Sequence, residues 1–324
     1  MTPLAVSQLG AAELIGRPWP SVGIARAFVA SDSRAGVVAG IDPRQRASGR
    51  QVGTIGFVRD YRDDAALWAV IGSAEAWLIE SGADVLRCPV NGTTWHGHRA
   101  VVDMYWQEGG EPSFPLEPAN DRLLPEVLAD AGWLPVHWAL SYRVPIAPWL
   151  AGAGYAEARL AASGFAHRPL DTARFGEEIA AVHGIATEAF ARNWGFSPIS
   201  VDELAAIYAP LIGAAEPSSV RMLEDRSGRA VGFFFGYAEP APSGGGSDTR
   251  FVAKTLAVTP AVAREHPGVG IGLAIAVHRW ALTNGHRDAL FAMAGEQSFS
   301  RRLGERWGSP IRRYATFEKV VARP

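Results

Sequence analysis

Cysteine is almost missing from this chain: Cys88 stands alone in 324 residues. That excludes an internal disulfide framework and a multi-cysteine zinc site, and it fits a reducing compartment. An excess of charge of either sign is also missing. Lys and Arg total 31 against 33 Asp and Glu, a net charge of −2, which provides no field for steering nucleic acid or an anionic membrane. The opening "MTPLAVSQLGAAELIG" has no basic start and no sustained apolar stretch, so no signal peptide is expected. No run reaches the ~20 apolar residues of a membrane helix, and a cytoplasmic location with no membrane partner is the expectation. No GxSxG and no assignable Ser-His-Asp arrangement occurs.

What is present is ordinary for a globular protein: 48% apolar and 20% charged residues. The length favours two domains of about 150 residues each. An internal repeat supports this. "AEAWLIESGADVLRCPVN" (74–91) and "VHRWALTNGHRDALFAMA" (277–294) align without a gap. In each, a tryptophan ends an apolar-periodic helix, a glycine (Gly82 or Gly285) suits a left-handed C-cap, and a strand-like run follows. A strand-like run also precedes each helix, "VGTIGFV" (52–58) or "FVAKTLAV" (251–258). Each half thus carries a strand–helix–strand unit, which crosses over right-handedly between parallel strands.

Further strands are expected at 24–30 and 35–41, and a helix at 120–133. A long closing strand at 136–146 ends the first half, and "APWLAGAGY" (147–155) reads as a linker. The second half reads helix, helix, three strands, helix, strand, helix, strand, with a flexible loop at 240–248. The expected domains are 1–150 and 156–324.

The halves differ at the turn between strand and helix. Val58 and Trp77 are 19 residues apart, whereas Val258 and Trp280 are 22 apart. The extra residues contain "GVGIG" (268–272), where the first half has "RDYRDDAAL". The residues alone leave two readings: a tight turn requiring positive φ, or amides at a helix N-terminus arranged for an anion. A P-loop is excluded because Leu273 follows Gly272, and a dinucleotide fingerprint requires glycine at that same position.

In element order, and in the register of "PGVGIG" with Gly270 and Gly272, residues 173–321 resemble the GCN5-related N-acetyltransferase (GNAT) superfamily. Residues 22–146 resemble a degenerate copy of the same fold. The implied fold class is α/β (α+β): two tandem GNAT-like domains, each a mixed twisted sheet with helices on both faces. The resemblance implies acetyl-CoA or another acyl-CoA as donor, held by Leu256, Ala257 and Val258 and by Gly268, Val269, Gly270, Ile271 and Gly272. The sequence departs from the family pattern at Pro267, where Gln or Arg is usual, and at Val269, where a cation is frequent; Arg264 and His266 are candidate substitutes. No metal is implied.

Candidate catalytic groups follow the last strand–helix–strand unit: Glu296 as base, and Ser298 or Ser300 as acid. Tyr314, on the last strand, is a further hydroxyl. Ser298 also reads as an N-cap, and Lys254 as a solvent-facing residue of an apolar strand. Substrate contact is assigned to Asn91, Trp95, His96 and Arg99 in "NGTTWHGHR" (91–99), since aromatics beside an arginine suit a carboxylate or a planar group. His96 and His98 alternate, as two ligands on a strand would, but no carboxylate or cysteine accompanies them locally.

The leading expectation is acyl transfer to a small amine-bearing substrate. Two alternatives stand beside it: an aminoacyl-tRNA donor, gripped by Arg301, Arg302, Arg306, Arg312 and Arg313 against an unfavourable net charge, and a non-catalytic ligand-binding module.

Overall fold

The structure, a computed structural model, describes the chain except residues 1–4, 17–18, 32–34, 60–63, 105–111, 121, 215, 240–249 and 322–324. The expected loop at 240–248, and residues 60–63 of the acidic turn of the first half, lie outside the described residues.

The first half runs β1 (Val6–Gly10), α1 (Ala11–Ile15), β2 (Ile24–Ala30), β3 (Gly36–Ala47), β4 (Arg50–Arg59), α2 (Asp64–Glu80), β5 (Val85–Cys88), β6 (Ala100–Met104), α3 (Leu123–Asp130) and β7 (Leu134–Pro145). Helix α4 (Ile146–Ser163) leads into β8 (Ala166–Pro169), α5 (Phe175–Phe190), α6 (Val201–Ala214), β9 (Val220–Glu224), β10 (Ala230–Glu239), β11 (Arg250–Val258), α7 (Pro260–Glu265) and α8 (Val269–Thr283). The chain closes with β12 (Asp288–Gly295), α9 (Phe299–Trp307) and β13 (Ser309–Val320). Among the described residues, no helix is long and apolar enough to cross a membrane.

One continuous sheet has the order β1-β2-β3-β4-β5-β13-β7-β12-β11-β10-β9-β8, with β6 also on β13. The two repeat units are its parallel pairs, β4 with β5 and β11 with β12. Both crossover helices end as the repeat predicts. Gly82 has φ 94° and Gly285 φ 90°. The residue after each closes the cap, Ala83 N–H on Leu78 O at 3.0 Å and His286 N–H on Ala281 O at 3.0 Å. Glycine occupies these positions because a Cβ is strained at positive φ.

The closing strands are exchanged between the halves. Last in the chain, β13 runs antiparallel to β5 of the first half, whereas β7, which closes the first half, runs antiparallel to β12 of the second. The two meet at the centre of the sheet along Ser309–Glu318. Arg44 on β3 adds a link to Glu203 on α6, Nη2 to Oε1 at 2.9 Å.

The segment expected to be a linker, 147–155, is helical instead. Trp149 and Ala156 are fully buried in α4, and the indole of Trp307 lies where a Cβ on Gly152 would stand, 2.1 Å away. Glycine there serves close packing, not a flexible joint. Helices α5 and α6 cover one face of the second half with Ile179, Val182 and Leu204, and α4 and α8 cover the other with Trp149, Leu160 and Leu273. In the first half, α2 and α3 share a core containing Leu67, Leu78 and Leu128.

Candidate functional site

The β11–β12 ladder stops early. Parallel pairing covers Phe251–Ala253 against Ala289–Phe291, although β11 continues to Val258 and β12 to Gly295. Both strands are irregular at that point. Against β10, Phe235 faces Thr255 while Gly236 faces Ala253, so Lys254 is the extra residue of a bulge. On β12, Met293 has φ 50° and the register against β7 shifts between Phe291 and Ala294. Leu256, Ala257 and Val258 pair with β10 on their other side, leaving the edge toward β12 as an open slot.

Helix α8 starts beside that slot. Gly268 is its N-cap with φ 99°, as a tight turn at this position demands. The N–H of Val269 reaches His266 O at 3.2 Å and that of Gly272 reaches Gly268 O at 2.9 Å. Between them, Gly270 and Ile271 have no backbone acceptor among the described residues. Two free amides at a helix N-terminus are donors of the kind that an anion can meet. The neighbouring glycines do different work. A Cβ on Gly270 would meet two side-chain methyls, Val258 Cγ2 at 3.2 Å and Leu256 Cδ2 at 3.9 Å, whereas one on Gly272 would lie 2.6 Å from Leu160 Cβ and 2.9 Å from Ala156 O. Gly272 therefore permits the contact between α8 and α4. The nearest side chain to a Cβ on Gly268 belongs to Arg159 of α4, with Cδ at 3.9 Å; Pro267 and Val269 carry no charge.

The matching place in the first half is sealed. Val90 N–H bonds to Ile55 O at 2.8 Å, and Phe57 N–H donates to Asn91 Oδ1 at 2.7 Å. A Cβ on Gly56 would sit 2.2 Å from Val90 O. Helix α2 opens with Asp64, whose carboxylate already accepts Ala65 N–H at 2.8 Å, so its dipole is met by a carboxylate of the chain itself.

The 91–99 segment lies between the halves. Asn91 closes the first-half slot as just described. Trp95 inserts into the second half: Nε1–H donates to Ser197 O at 2.9 Å, and the ring packs against Phe190 and Phe196. Thr94 Oγ1 donates to Gly195 O at 3.1 Å. His96 turns to Thr93, Nδ1 to Oγ1 at 2.9 Å, while His98 Nδ1 is 3.1 Å from Thr94 O. The two imidazoles thus have separate local partners.

Beyond them lies a group of side chains that sequence spacing does not bring together. His137 of β7 stacks on Trp194 at 4.8 Å with planes 4° apart, and the His98 ring is 5.9 Å from that of His137. Arg87 covers Trp194 at 4.3 Å and pairs with Glu318, Nε to Oε2 at 3.0 Å. Arg99, at φ 94°, places Nη2 3.4 Å from His137 Nε2, and its Nε is buried without a hydrogen bond. Lys254 is half-buried, not solvent-facing; burial first, and Arg99 second, push its ammonium down to about 8. Burial also holds His137 at about 4 and His98 well below its ordinary range, with Arg99 adding to both. Both imidazoles are neutral at pH 7; the one lone pair of His137 faces Arg99 Nη2, whereas His98, whose Nδ1–H donates to Thr94 O, keeps its lone pair on Nε2.

The remaining candidates are dispersed. Ser298 caps α9, accepting Arg301 N–H at 3.1 Å. Ser300 is half-buried in the first turn of the same helix, and Glu296 is exposed just after β12. Tyr314 is fully buried in a relay that begins at the irregular residue of β12: Met293 N–H donates to Ser141 Oγ at 2.9 Å, and Ser141 lies 2.9 Å from the Tyr314 hydroxyl. The hydroxyl donates to Glu117, which pairs with Arg312 at 2.8 Å. Burial and the Glu117 charge raise the phenol, keeping it protonated. Cys88 is buried, which pushes its thiol up and makes it inert. The five C-terminal arginines form no single face. Arg312 is 3% exposed, Arg301 pairs with Glu305 at 2.8 Å, and Arg313 lies 3.8 Å above Trp138.

No protein-family model and no curated protein matches the chain. Solved structures do. The GCN5-related glucosamine N-acetyltransferase region of a fungal multi-domain β-N-acetylglucosaminidase matches at TM-score 0.56 and 12% identity, over 98% of this chain and 38% of that longer one. A probable N-acyltransferase of unknown function from Enterococcus faecalis matches at TM-score 0.55 and 11% identity, over 99% of this chain and 73% of that one. A tandem GNAT protein from the clavulanic acid biosynthesis pathway matches at TM-score 0.52 and 12% identity, over 99% of both chains. The fold is GNAT-like, in a tandem arrangement.

Proposed function

We propose that this GNAT-fold chain is an N-acyltransferase that moves an acyl group from acyl-CoA to the amine of a small molecule, with a single donor site in its second half. The observation that carries this reading is the contrast between the halves: an open β11–β12 slot beside free helix-N-terminal amides, against a sealed slot beside a carboxylate-started helix. The pyrophosphate would lie on Gly270 and Ile271 with Arg159 alongside, and the thioester along Leu256–Val258.

The acceptor nitrogen attacks the thioester carbonyl, forming a C–N bond; the C–S bond then breaks and CoA leaves as thiolate. The amine loses one proton to a base, and the thiolate gains one. Most of the acceleration comes from holding the two reactants together and from amides aimed at the carbonyl oxygen. Glu296 through water is the candidate to take the proton, and neutral His98 is a weaker alternative because burial and Arg99 disfavour its imidazolium. Ser300 is the candidate acid among the serines, since Ser298 already caps α9; the Tyr314 hydroxyl is committed to its relay. An aminoacyl-tRNA donor is disfavoured by the dispersal of the five arginines.

Thermal denaturation in the presence of acetyl-, propionyl- and longer acyl-CoAs tests the reading by ligand linkage. Stabilisation by at least one, with release of CoA thiol when amines are added, is the expected result. No shift at millimolar CoA thioester would reject it.

A further inference from the structure

The group facing the mouth of the slot is built from bases alone. Arg99 and Lys254 carry the charge, and His98 and His137 complete the set. The nearest further cation, Arg87, is already paired with Glu318. Among the described residues, no carboxylate acts on Arg99, Lys254 or His137. Two unneutralised cations held beside one another in partly buried surroundings are costly, because each disfavours the charge of the other and neither is fully hydrated. The chain nevertheless fixes both in place. Lys254 projects from a strand bulge and Arg99 from a left-handed backbone position, on elements of opposite halves. Lys254 is also one of only two lysines in a chain rich in arginine, so a generic basic surface does not account for it.

We propose that the acceptor amine carries a carboxylate, which Arg99 and Lys254 grip from the two halves at the mouth of the slot. The reaction this serves is the acyl transfer proposed above, and the inference rests on that reading. The fork of a guanidinium matches the two oxygens of a carboxylate, and a lysine ammonium adds a compact charge. The Trp194–His137 stack, with Arg87 over Trp194, closes one side of the site and fixes the imidazole beside Arg99. Holding the carboxylate here directs the amine of a short amino acid toward the β11–β12 slot, with neutral His98 and His137 beside it. Binding of the anion also supplies the charge missing from the cluster, so donor and acceptor sites are completed by different ligands.

The small number of lysines makes the test direct. Lysine labelled with ¹³C at Cε yields two resonances in the full chain, and Lys319→Arg assigns them. Lys254 should titrate near 8 in the free protein. Free α-, β- and γ-amino acids at millimolar concentration are then compared with their carboxamides and with O-phosphoethanolamine. At least one acid should raise the Lys254 titration by about one pH unit or more, as a nearby opposite charge does, while its carboxamide leaves it in place. Arg99→Gln should weaken that acid about tenfold or more, and Arg99→Lys should restore part of the loss.

Three outcomes would overturn the proposal: no acid moves Lys254, acid and amide move it equally, or only the phosphate does. The acyl-transfer reading fails separately. Absence of a thermal shift with acyl-CoA, alongside a clear response of Lys254 to an amino acid, removes the donor while leaving the carboxylate site. Acyl-CoA binding with a silent Lys254 does the reverse.

Discussion

Exchanging Gly270 and Gly272 one at a time should separate the two roles that their spacing in "GVGIG" merges. An alanine at 272 places Cβ 2.6 Å from Leu160 Cβ and 2.9 Å from Ala156 O. Both atoms are on or next to the backbone of α4, so relief requires the helices to part. Overpacking of this kind costs about 1–3 kcal/mol, and the better helix propensity of alanine offsets up to ~1 kcal/mol. A net loss of about 1–2 kcal/mol remains. Unfolding entropy scales to about 0.7 kcal/mol/K for a chain of this length, so Tm should fall by about 2 °C, and by more for Gly272→Val. Alanine at 270 meets a valine methyl at 3.2 Å, which can yield, and a leucine methyl at an ordinary 3.9 Å, and Tm should stay within ~1 °C of the parent. Binding should rank the other way: Gly270→Val crowds the free amides and weakens CoA about tenfold or more, while Gly272→Ala retains most of the affinity. Thermal melts and CoA titrations on the same preparations read both quantities. A destabilised Gly270→Ala, or a Gly272→Ala as stable as the parent, would refute the division of labour.

Other expectations follow from the same geometry. Arg159→Ala should weaken CoA about three- to tenfold, more at low salt than at high, because an exposed cation beside phosphate is screened; an unchanged Kd would remove Arg159 from the site. Gly56→Ala sets Cβ 2.2 Å from the Val90 carbonyl and should cost upwards of about 2 kcal/mol in urea unfolding, without altering CoA stoichiometry in the protein that folds. His278 is buried among Trp149, Phe234, Phe251 and Phe291 and titrates at about 4. Its unfolded value is about 6.5, so between these values the unfolded chain binds the extra proton and stability falls as pH drops. The difference amounts to about 3 kcal/mol at most. His278→Phe should flatten that acid limb in melts from pH 7 to 4; an unchanged slope would contradict the assignment.

The repeat was legible because its signals are local: a tryptophan, a left-handed cap and an apolar strand at matched offsets, all found where expected at Gly82 and Gly285. The long closing strand at 136–146 was legible for the same reason. What it pairs with was not. Exchange of β7 and β13 is a matter of long-range partner choice, and neither strand's pattern names its neighbour. In the sequence, Gly152 and Gly154 suggest a joint and so a linker at 147–155, whereas in α4 Gly152 admits the Trp307 ring. Strict alternation makes Lys254 solvent-facing; the bulge at Lys254, opposite Phe235 and Gly236, breaks that alternation and re-aims it. Arg312 entered a surface patch by its position in the sequence, yet a strand residue facing the core pairs with buried Glu117. Arg99 was singled out in its own segment, but His137 and Trp194, distant in sequence, become its companions only when the halves share a sheet. Arg159 reaches the α8 N-terminus from a helix that the sequence did not reveal.

The claim on which the account depends is that one half holds a donor and the other cannot. Isothermal titration of the full chain with CoA, read for stoichiometry, tests it most directly. One site per chain is predicted, weakened by Gly270→Val and left at one per chain by Asn91→Ala; two sites per chain, or none at millimolar CoA, would contradict it.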